Sequence, residues 1–229
     1  MTAESGTHMT WNGVADMTGT EPETDGPDVP RPGVDGPGAD HRSRATPELV
    51  LCAIDEPLAL AWETVPEKVS GPVRVHQGSV LDIEAQALVS PANSYGWMRG
   101  GIDALYAKAF PELEQRVRSA VLASHGGELP VGEALVVPTG EPAPAWLISA
   151  PTMREPGEQL PPDTVHPYLA AKAVFTLWST GTVETADGTY ALRDVIATIA
   201  MPGLGTGVGG VAPETCAHQV AAAWDEVFD

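Results

Sequence analysis

The segment Ala87-Leu-Val-Ser90-Pro-Ala-Asn93-Ser-Tyr95-Gly-Trp97-Met-Arg99-Gly100-Gly101-Ile-Asp103 carries more of the fold than any other part of the chain. It leaves a short apolar strand, Ala87 to Pro91, and enters a helix that runs from Ile102 to Phe110. Gly100 and Gly101 let the backbone approach a ligand with no Cβ in the way. The helix N-terminus beyond them offers free N–H groups and the positive end of the helix dipole.

Outward from this unit the same alternation repeats. Upstream, Leu49 to Ile54 is an apolar run of buried-strand length, followed by Asp55 and a helix-like stretch from Pro57 to Glu63; Val73 to His76 is a further strand. Downstream, Pro111 suits the first turn of a second helix running to about Ser124, with Leu113, Val117 and Val121 on one apolar stripe. Strands return at Ala134 to Val137, Trp146 to Ala150 and Val195 to Ala200. Between the last two lie a helical pattern, Tyr168 to Trp178, and a Gly/Thr-rich connection, Gly181 to Thr189. Pro213 to Phe228 closes the domain with Val220, Trp224 and Val227 on one face. Apolar strands alternating with amphipathic helices predict an α/β fold with a mixed, mostly parallel central sheet covered on both sides. Ligands of such sheets bind at the C-terminal ends of the strands. A second glycine-rich loop, Pro202-Gly-Leu-Gly205-Thr206-Gly207-Val208-Gly209-Gly210, directly follows the last strand. Successive N–H groups in such a loop form an anion-binding concavity, so two loops predict a cradle for a diphosphate. Flexible turns share this composition, and the glycines alone leave both readings open.

Composition narrows the partners. The 229 residues fall into two parts: 1–46, a Gly/Pro-rich acidic stretch expected to be a disordered tail, and 47–229, expected to be one domain. A formal net charge of −19 with only 12 Lys and Arg argues against non-specific nucleic-acid binding. Any phosphate is then expected to be held by backbone dipoles. No run of 18 apolar residues occurs, and the first residues show no secretory pattern. Cys52 and Cys216 read as reduced thiols of a cytoplasmic protein. His76, His125, His166 and His218 show no spacing suited to zinc. The oligomeric state stays open.

A series of blocks, in order, extends beyond the two loops: Gly78-Ser79-Val80, Ala87 to Asn93, Gly100 to Asp103, Gly132-Glu-Ala134, Trp146 to Pro151 and Pro202 to Gly209. The series resembles macrodomains, three-layer α/β/α modules that bind ADP-ribose and in some members cleave it from proteins or nucleic acids. The resemblance runs from Val73 to Phe228, with the Leu49–Ile54 strand, Asp55 and its helix as an N-terminal addition seen in uncharacterised actinobacterial and phage macrodomains. It implies ADP-ribose or an ADP-ribosylated target as partner, with no cofactor and no metal. Asn93, beside Ala92, falls where the family hydrogen-bonds the distal ribose, and Asp103 where hydrolases of the MacroD type have their catalytic aspartate. Gly100, Gly101 and Ile102 match the first diphosphate loop; Gly205, Thr206, Gly207 and Val208 match the second.

Three positions depart from the pattern. Where the family has Gly-Asp-Ile, whose aspartate accepts from the adenine amino group, this chain has Gly78-Ser79-Val80, with Asp82 three residues on as a substitute acceptor. Arg99 stands where another glycine is usual. Gly209 replaces an aromatic over the distal ribose, for which Tyr95 or Trp97 are the stacking candidates. Read without the resemblance, Asp103 complements a helix dipole and Asn93 bonds its own turn. The expectation is a hydrolase of mono-ADP-ribose acting through Asn93 and Asp103; the alternatives are a non-catalytic ADP-ribose or nucleotide module and a phage-type structural domain.

Overall fold

The computed structural model describes residues 46–185 and 187–229, so the expected tail lies outside the described residues except for Thr46. The strands are β1 (Glu48–Ala53), β2 (Val73–Gln77), β3 (Ala87–Ser90), β4 (Leu135–Pro138), β5 (Trp146–Ser149), β6 (Thr182–Thr185), β7 (Gly188–Ala191) and β8 (Thr198–Met201). The helices are α1 (Glu56–Glu63), α2 (Gly101–Ala109), α3 (Leu113–His125), α4 (His166–Thr180), α5 (Leu192–Val195) and α6 (Pro213–Phe228), with a single 3-10 turn at Val80–Asp82.

Six strands form the sheet in the order β2-β1-β8-β3-β5-β4. Neighbours pair in parallel except β4, which runs antiparallel to β5 at the edge. The inner strands β1, β8, β3 and β5 bury both faces, as their near-continuous apolar runs require. In β1, Leu49, Leu51 and Ala53 enter one core while Val50 and Cys52 enter the other. The first core is filled by α1, α4 and α6, and the second by α2 and α3. This is the three-layer α/β/α architecture.

Three fully buried indoles anchor the first helix layer, each donating to a backbone carbonyl, one in β1 and two in connecting segments. Trp62 Nε1 reaches Cys52 O at 3.3 Å, Trp178 Nε1 reaches Ile196 O at 2.8 Å, and Trp224 Nε1 reaches Ser70 O at 2.8 Å. Trp224 also meets Phe175 edge-on at 5.3 Å. Truncating any of these indoles to alanine removes packing worth about 3–5 kcal/mol. Through Trp62, α1 is clamped across β1, which holds the β1–α1 junction at the C-terminal edge of the sheet.

Two expected boundaries move. Pro111 lies before α3 rather than in its first turn, because Glu112 takes a left-handed conformation (φ 67°) and the helix begins at Leu113. Val195 ends the short α5, whose Leu192 carbonyl accepts from Ile196 N at 2.8 Å, and the strand starts only at Thr198. The Gly/Thr-rich connection folds as the β6–β7 hairpin.

Candidate functional site

Strands β2, β1, β8, β3 and β5 all end at one edge of the sheet, and the loops leaving them enclose a cleft of about 770 Å³. Strand order sets the order of the wall. Gly78 and Val80 follow β2; Ile54, Asp55 and Leu58 follow β1; Pro202 to Val208 follow β8; Pro91 to Asp103 follow β3; Thr152 to Gly157 follow β5. The two glycine loops therefore face one cleft, and they nearly meet: a Cβ on Gly101 would lie 3.9 Å from Val208 Cγ2.

The first loop is braced by Asn93. Its Oδ1 accepts from Tyr95 N and Trp97 N, both at 3.2 Å, and its Nδ2 donates to Trp97 O at 2.7 Å. Ser94 N donates to Met153 O at 3.1 Å, and Glu114 Oε2 on α3 accepts from Met98 N at 3.0 Å. The loop is thus tied to the segment that follows β5 and to α3. In the second loop, Val211 N donates to Gly205 O at 3.0 Å and Gly210 N to Gly207 O at 3.1 Å, which folds Gly205 to Val208 toward the cleft. Its glycines have different reasons. A Cβ on Gly209 would strike Gly205 O at 2.6 Å, whereas one on Gly207 would meet nothing within 4 Å. Gly209 permits the loop to close on itself; Gly207 leaves space in the cleft.

Asp103 sits in the first turn of α2 and is 6% exposed. Ser90, the last residue of β3, donates its hydroxyl to Asp103 Oδ1 at 2.6 Å. Burial pushes the carboxyl up to about 6 from an ordinary 3.8, and the Ser90 hydrogen bond works against that rise. One turn on, Tyr106 donates its hydroxyl to Val89 O at 3.0 Å, and burial beside Asp103 raises its phenol well above its ordinary range. At neutral pH the cleft wall therefore holds an ionised carboxylate that binds a proton more readily than a free one. Cys52, also in the wall, is no nucleophile: burial pushes its thiol up to about 12.

Of the residues singled out from the sequence, Val80, Ala92, Asn93, Trp97, Gly100, Gly101, Ile102, Asp103, Gly205, Thr206, Gly207 and Val208 line the cleft. Ser79, Asp82 and Tyr95 are not in that wall. Ser79 Oγ accepts from Leu81 N at 3.2 Å, capping the 3-10 turn, and this turn carries Asp82 to an exposed position. Tyr95 OH donates to Glu155 Oε1 at 3.1 Å instead. The Trp97 ring carries two guanidinium groups, Arg99 at 4.0 Å and Arg118 at 3.5 Å from its centroid. Ile54, Asp55, Leu58 and the β5–α4 segment were missed by sequence reasoning. The available signal was their place just after buried parallel strands. Among the described residues no three His, Cys, Asp or Glu side chains converge as a metal-binding group, and no helix is long and apolar enough to cross a membrane.

Fold and site together define an α/β module with a two-loop cleft at the ends of its parallel strands. Residues 89–220 match the model of the Macro domain family, and the chain belongs to that family. An uncharacterised protein of Aeropyrum pernix is 32% identical over 151 residues, covering 65% of this chain and 68% of the relative. One of Aquifex aeolicus is 32% identical over 146 residues, covering 64% and 76%. Among solved structures, the macrodomain of Mycobacterium tuberculosis DarG superposes with a TM-score of 0.53 at 24% identity, covering 67% of this chain and 90% of that one. The macrodomain of Thermus aquaticus DarG gives 0.50 at 23% identity, covering 65% and 87%. Both show the shared fold.

Proposed function

We propose that the cleft binds ADP-ribose and hydrolyses it from mono-ADP-ribosylated targets. The observation that carries this reading is the pairing of two glycine loops with a buried carboxylate in one wall. In the net field of a chain at −19, the diphosphate is held by loop N–H groups and the N-terminus of α2 rather than by a basic patch. The bond at the anomeric carbon of the distal ribose breaks through an oxocarbenium-like transition state, and the leaving group departs with its electron pair. Asp103 takes the proton of the attacking water. Its carboxyl, raised to about 6, is ionised at neutral pH yet close enough to that pH to be an effective base. Ser90 acts as a positioning residue by holding Oδ1, so that the second oxygen is the one offered to water. The buried free thiols of Cys52 and Cys216 fit a reducing cytoplasm.

A second reading, binding without turnover, draws on Asn93. Three hydrogen bonds inside its own loop leave it one amide hydrogen for a ligand. Calorimetry with ADP-ribose tests binding. A release assay on protein- and nucleic-acid-linked ADP-ribose then tests turnover. Binding with no release from any substrate ends the hydrolase reading; no binding ends both.

A further inference from the structure

We propose that Gln159, in the segment between β5 and α4, is a positioning residue that locks the peptide between Val208 and Gly209 and keeps the second glycine loop receptive to an anion. This rests on the ADP-ribose reading and extends it to a side chain outside both loops. A loop attracts a diphosphate through its N–H groups only while its carbonyls face elsewhere, because a trans peptide carries the two on opposite sides.

Four carbonyls of the second loop have identified donors. Gly205 O and Gly207 O accept from Val211 N and Gly210 N, within the loop's own turn. Two more are held from the β5–α4 segment: Gly209 O accepts from Leu160 N at 2.9 Å, and Val208 O accepts from Gln159 Nε2. Of these four, Val208 O is the one held by a side chain. Among the described residues, the N–H groups of Thr206, Gly207, Val208 and Gly209 have no acceptor. Val208 lines the cleft and Gln159 does not, so the Val208 carbonyl is turned out of the wall and the Gly209 N–H points the opposite way.

This peptide needs a lock because a glycine follows it. Turning it over changes the sign of φ at the next residue, and glycine takes φ above zero about as readily as below it. No side chain at 209 can oppose the turn, since a Cβ there would strike Gly205 O at 2.6 Å. Turned over, the peptide presents an oxygen where it now presents an N–H, and an oxygen repels a phosphate. Gln159 is well placed to prevent this. On one side of it, Glu158 Oε2 accepts from Arg154 N at 2.9 Å and from Glu155 N at 3.0 Å; on the other, Leu160 is buried and bonded to the loop. Its amide lies across the loop, where a Cβ on Gly210 would meet Gln159 Oε1 at 3.1 Å.

Gln159→Met keeps the length of the side chain and its neutrality while removing the donor. Calorimetry with ADP-ribose is run on the full chain for wild type and Gln159→Met, with melting curves and backbone nitrogen relaxation dispersion at Gly209 alongside. Losing one hydrogen bond shifts the peptide toward its turned-over form by up to about tenfold, and affinity falls with the competent fraction. Gln159→Met is therefore expected to bind ADP-ribose about three- to tenfold more weakly at an unchanged melting temperature. Its Gly209 amide is expected to show exchange on the microsecond-to-millisecond scale that the wild type lacks. Unchanged affinity, or weaker binding with a Gly209 amide as quiet as in wild type, overturns the role of Gln159 and leaves the ADP-ribose reading standing. A wild type that does not bind ADP-ribose overturns both.

Discussion

Asp55 caps α1 just after β1, and Asp103 lies in the first turn of α2 beyond β3, so both carboxylates stand at helix N-termini on the same edge of one sheet. Asp55 is exposed and spends one oxygen on a backbone N–H. Asp103 is 6% exposed, takes a hydroxyl at 2.6 Å, and has its carboxyl pushed up to about 6. The helix dipole common to both favours the charged form by roughly 0.3–1 kcal/mol. A rise from 3.8 to about 6 corresponds to about 3 kcal/mol in the other direction, so at Asp103 desolvation wins. A sequence position at a helix start does not decide a carboxylate's chemistry; the depth to which packing sinks it does.

The contrast is breakable. The largest effect is expected at Asp103: in Asp103→Ala, ADP-ribose release slows by at least about a hundredfold while affinity stays within a few-fold. Loss of affinity in step with rate would make Asp103 a binding group and erase its difference from Asp55. Between the two ends, Gly207→Val puts a side chain where a Cβ meets nothing within 4 Å. It should weaken ADP-ribose by about a hundredfold at unchanged stability, read by calorimetry and melting. Gly207 is a cleaner probe than Gly101, whose φ of +55° strains any larger residue with or without ligand.

Stability against pH separates the carboxylates next. Below the ordinary 3.8, Asp103 is protonated in both folded and unfolded chains and has no net effect. As pH rises from 3.8 towards about 6, the unfolded chain loses the proton before the folded one, and stability falls by on the order of 3 kcal/mol, the fall being complete above about 6. Denaturant titrations of Asp103→Asn should lack this fall; a parallel pH profile in both proteins would mean the carboxyl is not raised. Ser90→Ala removes the hydrogen bond that holds the Asp103 value down, so the acid limb of the rate–pH profile should move to higher pH, with KM little changed. An unmoved limb leaves Ser90 a structural residue. The smallest effect belongs to the exposed carboxylate: Asp55→Ala should cost about 1 kcal/mol through its lost cap, and Asp55→Asn almost nothing.

Much of this was legible in local pattern. Ala87–Ser90 and Thr198–Met201 are apolar because parallel strands bury both faces, and the glycine loops after them stand out by composition. Boundaries governed by one residue's backbone were not, as Glu112 and Val195 show. Nor was the orientation of polar side chains: Ser79 and Tyr95 stand near loop residues in sequence and find partners away from the cleft.

Residue order therefore carried the α/β class, the alternation of strands and helices, and the two loops, because periodicity and glycine placement are short-range properties. Pairing of strands distant in sequence supplied the rest. It set β1 beside β8 and brought Asp55 to the same cleft as Asp103. It also stacked α2 on β3 so that Asp103 met Ser90 out of water. Desolvation and the contents of a cleft depend on neighbours in space, which no local pattern encodes.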